Sequence, residues 1–199
     1  MKVFKATRED MTCDMGQGTF RYELGKTYTA VNAKCGSIGL HSCEYVLGCM
    51  SYYPLDGKNR FFRAEAAGDI HEVGGADTRV SSTELTLVEE LSLMKICYEA
   101  LVYMIQHPGR NWKADGPGLS VKENIVRAGY SDRKPFLGIA RGYEPVASGK
   151  LGSVLGFAHE SGGEIQGAKI IPIDGIYYFP NVEYQLTAAG VLVRREVVE

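Results

Sequence analysis

A chain of 199 residues with 45% hydrophobic and 23% charged side chains is long enough for one large or two small domains with a buried core. A net charge of -2 leaves no basic surplus of the kind that marks nucleic-acid binding, and no apolar run reaches the ~18–20 residues of a membrane-spanning helix. Five cysteines, an odd number, exclude a fully paired disulfide framework, and Met1–Thr7 has no long apolar segment of secretory type, so reduced thiols in a cytoplasm are expected.

In chain order, Val3-Phe4-Lys5-Ala6 reads as a first strand, ended by the polar run Thr7–Asp10. After the turn Gly16-Gln17-Gly18, Thr19–Glu23 alternates aromatic and polar residues. Leu24-Gly25-Lys26 then turns the chain into Thr27-Tyr28-Thr29, which predicts a hairpin. Gly39-Leu40-His41 forms a corner, and Ser42 is placed to cap a helix of about three turns. Val46, Leu47, Met50 and Tyr53 mark its buried side and Pro54 helps to end it. Arg60–Ala66 is a return strand. Gly68-Asp69-Ile70 and the loop Gly74-Gly75-Ala76-Asp77 separate it from further β segments at Arg79–Ser81 and Thr83–Leu87.

The clearest helix is Leu93–Gln106. Leu93, Ile96, Cys97, Ala100, Leu101 and Met104 make one continuous apolar face, so its role is packing, and His107-Pro108-Gly109 stops it. Arg110–Gly118 has the composition of a linker, with Trp112 as an anchor. Gly-aromatic pairs then recur at Gly129-Tyr130, Gly142-Tyr143 and Gly156-Phe157, thirteen and fourteen residues apart, which suits a short strand-and-turn solenoid. Ala168–Ile173, the turn Asp174-Gly175 and Ile176–Phe179 predict a hairpin; Glu183–Leu186 and Val191–Arg195 predict another. The fold class expected is α+β. An N-terminal mixed α/β domain with two helices spans 1–109, a linker spans 110–124, and an all-β short solenoid-like repeat with an antiparallel meander spans 125–199.

Three kinds of chemistry are open to the corner at 39–54. Cys13, Cys35, His41, Cys43 and Cys49 are zinc-ligand types, but no Cys-x-x-Cys pair exists, so partly buried reduced thiols are the plainer reading and no metal is assigned. Cys43 at a helix start, two residues from His41, has the composition of a thiol nucleophile but no identifiable orienting group. Gly149-Lys150-Leu151-Gly152-Ser153 lacks the order of a phosphate loop and reads as turns.

The third kind comes from a resemblance. The succession Val3–Thr7, Gly39–Ser42, helix, Tyr52-Tyr53 and Arg60–Ile70 resembles the order of elements in the ADP-ribosyltransferase fold over residues 1–90. That resemblance implies a nicotinamide site. Lys5-Ala6 stands where the family has an Arg-Gly or His-Gly pair, His41 takes the aromatic position, Tyr53 adds to the pocket, and Glu84 stands for the catalytic acid. A closer resemblance is to an uncharacterised family of small proteins from bacteriophages, prophages and gut bacteria. It is carried by Lys2–Lys5, Phe20–Tyr28, Gly39–Glu44 and Tyr52-Tyr53-Pro54, with glycine repeats and a hairpin tail beyond. It implies a non-enzymatic binding protein of phage or prophage type. Such a protein would inhibit a host defence factor by binding a protein or a small nucleotide, without cofactor, nucleic acid or membrane, and as a homo-oligomer. The alternative is an ADP-ribosyltransferase-like enzyme using NAD, with Glu84 and His41 catalytic and Lys5, His41 and Tyr53 holding the cofactor. The missing Arg-Gly pair favours the binding protein, because the glycine that lets backbone approach a ligand closely is absent.

Overall fold

The computed structural model describes residues 1–14, 18–74, 77–110, 112–128 and 136–195, which divide into two compact units, Met1–Ser92 and Leu93–Glu199. Among the described residues the chain is mostly β. The first unit holds β1 (Lys2–Arg8), β2 (Thr12–Cys13), β3 (Phe20–Arg21), β4 (Thr27–Thr29), β5 (Leu40–Cys43), β6 (Asn59–Gly74) and β7 (Asp77–Glu90), with a 3₁₀ helix, Val46–Ser51, between β5 and β6. The second holds helix α1 (Leu93–Gln106), then β8 (Ala114–Gly116), β9 (Leu119–Ala128), β10 (Leu137–Gly149), β11 (Val154–Ser161), β12 (Glu164–Pro172), β13 (Tyr184–Leu186) and β14 (Leu192–Arg194).

Among the described residues of the first unit every pairing is antiparallel, and the main sheet closes on itself. β1 lies between β5 and β6, while β7 pairs with β5 along one edge and with β6 along the other. Closure removes the free edges that a four-strand sheet would otherwise show. Val3, Phe62, Ala64, Ala66, Leu85 and Leu87 fill its inside, all of them fully buried. β4 adds to the outer part of β7, with Tyr28 opposite Leu85. The region 20–29 is therefore not a hairpin: β3 pairs with β2, and β4 pairs with β7. The two β segments expected at 79–87 are one strand, β7. Gly68, expected as a break, sits in β6 at a bulge between Ala67 and Ile70. Parts of the turns expected at 16–18 and 74–77 lie outside the described residues.

The helix expected after Ser42 is also different. Leu40–Cys43 is strand, so Ser42 is no cap, and the helical segment beyond it is six residues of 3₁₀ helix. Its bonds run i to i+3, from Gly48 N–H to Tyr45 O (3.0 Å) and from Tyr52 N–H to Cys49 O (3.1 Å). Val46, Leu47, Cys49 and Met50 are all buried, so the segment is enclosed rather than one-sided, and a tight short turn suits that enclosure better than an amphipathic α-helix. Gly39 makes the corner before β5 with φ of +102°, where a Cβ would lie 2.9 Å from the Asn32 carbonyl.

In the second unit β9, β10 and β11 run parallel and in register: Leu119 stands beside Leu137, and Leu137 beside Val154. The stacked positions are thus eighteen and seventeen residues apart, not thirteen and fourteen. Gly142 falls opposite His159 and Gly156 opposite Ile139, and the first expected pair, Gly129-Tyr130, lies outside the described residues. A bulge between Arg141 and Val146 turns β10, with Asn124 and Glu144 at positive φ and Gly142 at +142°. One face of the sheet gathers Val126, Ala140, Leu155, Phe157, Ile171 and Leu186 into a core. The other faces α1, which buries Ile96, Cys97, Ala100, Leu101 and Met104.

That packing explains why α1 belongs with the second unit rather than with a 1–109 domain. The stretch 110–124, expected as a linker, contains β8 and the start of β9, which pair with each other. Trp112 does anchor there, beneath the Arg141 guanidinium at 4.5 Å. At the end, β13 and β14 form the expected hairpin. The hairpin expected around Asp174-Gly175 does not form. Asp174 Oδ1 instead accepts the N–H groups of Ile176, Tyr177 and Tyr178 (2.8, 2.9 and 3.0 Å), which coils that segment into a loop.

Candidate functional site

The chemistry of the first unit converges on one cleft of about 370 Å³. Three strands and the 3₁₀ helix build it. β1 supplies Lys5, β5 supplies His41, Ser42 and Cys43, β7 supplies Arg79, and the helix and its end supply Cys49, Tyr52 and Tyr53. Register brings these together across long sequence separations: Phe4 pairs with Cys43 and Cys43 with Arg79.

Lys5 is the unusual residue. It is 8% exposed, and its Nζ donates to the His41 carbonyl at 2.6 Å and lies 5.2 Å from the centre of the Tyr22 ring. It has no carboxylate partner among the described residues. A buried ammonium held by one carbonyl and one ring face leaves most of its lost hydration uncompensated. Tyr22 belongs to an edge-to-face cluster with Phe20 and Tyr28, at 4.8–5.2 Å between ring centres, so the aromatic motif at 20–28 builds one wall behind the lysine. Burial raises the Tyr22 phenol well above its ordinary value, which keeps it neutral beside the ammonium.

His41 is neutral by construction. Its Nε2 accepts the Gly36 N–H at 3.0 Å, and burial, then the Lys5 charge, push its pKa below the ordinary value. Arg79 is held by Asp77, with Nε 2.7 Å from Oδ2, which lowers the aspartate's pKa. Asp14 is the one carboxylate in the cleft lining among the described residues and is ion-paired to Arg8. The Ser42 hydroxyl is buried and has no hydrogen-bond partner among the described residues.

Of the residues expected to form a site, Lys5, His41 and Tyr53 all line this cleft. Glu84 does not. It is exposed on β7, paired with Thr29 on one side and Ala67 on the other. Cys43 ends a strand rather than starting a helix. Its pKa is lowered first by the neighbouring Cys49 thiol and then by the cations Lys5 and Arg79, and His41 is not among the causes. Arg79, Tyr22 and Ser42 were not singled out from the sequence as site residues. Nothing local distinguishes Arg79 in Thr78-Arg79-Val80, and only the β5–β7 register delivers it. Among the described residues no three His, Cys, Asp or Glu side chains are grouped to hold a metal ion. Likewise, among the described residues no helix is long and apolar enough to cross a membrane.

No curated protein and no solved structure matches the chain. Residues 1–99 match the model of a family described as a domain of unknown function, DUF7666, so the part of the chain similar to that family contains the whole cleft.

Proposed function

We propose that this chain is a binding protein rather than an enzyme, and that the cleft of its first unit takes a small anionic ligand of the nucleotide class. The observation that carries this reading is the Lys5 ammonium, buried in a cleft wall without a carboxylate partner among the described residues. An anion entering the cleft supplies the missing counter-charge, and burial of the pair strengthens the attraction. Arg79, ion-paired to Asp77, adds a guanidinium to the lining, and Tyr52 and Tyr53 add aromatic surface for a base. A volume near the lower end of ordinary ligand pockets, about 300–1,000 Å³, suits a mononucleotide better than a dinucleotide. The position of Glu84 outside the lining counts against the NAD-using alternative, because a carboxylate acting on the ribose has to reach it.

The wider parts of the reading rest on other supports. The phage or prophage setting and the action against a host defence factor, through a nucleotide or a protein, rest on the motif resemblance at 2–54 and in the C-terminal half. A cytoplasmic setting rests on five free thiols. Parallel, in-register stacking of β9, β10 and β11 supports a short solenoid, and the outer strands β12 and β14, each paired on one side, supply edges for a homo-oligomer.

Thermal unfolding of the purified protein with AMP, cyclic mononucleotides, ADP-ribose, NAD and the uncharged nucleoside tests the site. A bound anionic nucleotide at a hundredfold excess over its dissociation constant adds about 2.7 kcal/mol. The expected result is a raised midpoint with a mononucleotide, none with the nucleoside, and loss of the shift in Lys5→Met, which still folds because methionine fills the same space. An equal shift in Lys5→Met, or no shift with any nucleotide, overturns the reading.

A further inference from the structure

Five thiols are distributed unevenly, and two of them share a wall of the cleft. Cys43 closes β5, opposite Phe4 of β1. Cys49 lies in the 3₁₀ helix that doubles back over that strand end, with Sγ 3.3 Å from the Phe4 carbonyl oxygen. The same β1 residue therefore touches both. Gly48 explains the close approach: a Cβ there would lie 3.5 Å from Cys43 Cβ and 3.6 Å from its Sγ, so the helix backbone rests directly on Cys43. Both thiols line the cleft, and the Lys5 ammonium acts on both.

We propose that Cys43 and Cys49 form a dithiol redox centre in the cleft wall, one that a small disulfide of the glutathione class oxidises to an intrachain disulfide. The Cys43 thiolate attacks one sulfur of R–S–S–R; a Cys43–S–S–R bond forms and the first RS⁻ leaves. Cys49, deprotonated, then attacks the Cys43 sulfur, the mixed bond breaks and the second RS⁻ leaves. The two protein thiol protons end on the two RSH molecules. The balance is protein dithiol plus RSSR to protein disulfide plus two RSH, so the disulfide is the oxidant and no further reagent enters.

The order of attack is set by the environment. The neighbouring Cys49 thiol and the positive charge of Lys5 pull the Cys43 thiol down against its burial, whereas the same pairing and burial push Cys49 up. Cys43 is thus the attacking sulfur and Cys49 the resolving one, the division of labour that thiol–disulfide exchange requires. Cys97 is the internal contrast, buried beneath Gly156 and raised by desolvation alone.

The centre stands whether or not a nucleotide binds, and its test contains no nucleotide. The reduced full-length protein is incubated with glutathione disulfide, remaining thiols are blocked with N-ethylmaleimide at low pH, and the cysteines are mapped by peptide mass spectrometry. The expected result is a Cys43–Cys49 disulfide with Cys97 reduced, and in Cys49→Ser a stable glutathione adduct on Cys43. Mapping the parent protein alone decides the matter if the variant fails to fold. Reduced Cys43 and Cys49 under conditions that oxidise a control vicinal dithiol, or pairing of either with Cys13 or Cys35, overturns the proposal.

Discussion

His41 shows how one residue senses two features of the site. Its ring is neutral because Nε2 accepts the Gly36 N–H and because burial, Lys5 and Arg79 all disfavour a second proton. The groups facing it are Lys5 from β1, Arg79 from β7, and the carbonyls of Lys34 and Gly39, which act in the opposite sense. Its folded pKa lies below the unfolded value of about 6.5. Between the two values the unfolded chain binds more protons, so stability rises with pH there and the neutral ring's contribution is complete above about pH 6.5. It is lost as pH falls through the folded value. The thermal midpoint of the parent protein should therefore drop more steeply as pH falls below about 6.5 than that of His41→Gln, which has no ring to protonate. Parallel curves for the two proteins would show that His41 does not couple to folding.

At the scale of elements, Gly156 is the informative case. Its place in a Gly-aromatic pair predicted a tight corner, yet it lies inside β11 with no positive φ, facing α1. A Cβ there would lie 2.7 Å from Cys97 Sγ and 3.1 Å from Ile139 Cγ1. The glycine is needed for helix-on-sheet packing, not for a turn. Gly156→Ala should lower stability by about 1–3 kcal/mol through overpacking. Cys97→Ala, which removes the obstructing sulfur, should restore much of it, because the two positions touch and their effects do not add. Urea unfolding of both single variants and the double variant measures that coupling; simple additivity would refute the contact. The helix on the other side of that contact was legible from its residues. The apolar stripe of α1 predicted Leu93–Gln106 with its bounds, because a long one-sided helix declares itself by period. Val46, Leu47 and Met50 have the same spacing in a 3₁₀ turn as in an α-helix, so period alone could not separate them. Lys5, His41 and Tyr53, named from a resemblance, all line one cleft, whereas the placing of Arg79, of Tyr22 and of Cys49 near Cys43 depends on strand register and a doubled-back turn, which local pattern does not encode.

For the whole molecule, the division between units carries a consequence for folding. The closed sheet of residues 1–92 contains its own core and every residue of the cleft lining. The second unit depends on α1: Cys97 and Ala100 are fully buried, and Gly156 is shaped to receive the helix. A fragment of residues 93–199 should therefore unfold in one cooperative transition, while a fragment of 110–199, cut where the helix ends, loses the cover over β11 and exposes Ile139 and its neighbours. Burying side chains such as Ile96, Leu101 and Met104 contributes about 1.5–3 kcal/mol each, so their removal exceeds much of the ~5–15 kcal/mol that ordinarily holds a domain together. Guanidinium unfolding followed by circular dichroism separates the cases: a sharp transition for 93–199 and a broad, dye-binding, molten one for 110–199. Equal cooperativity of the two fragments would show that the sheet is stable without its helix, and the boundary at 92 would then have no energetic meaning.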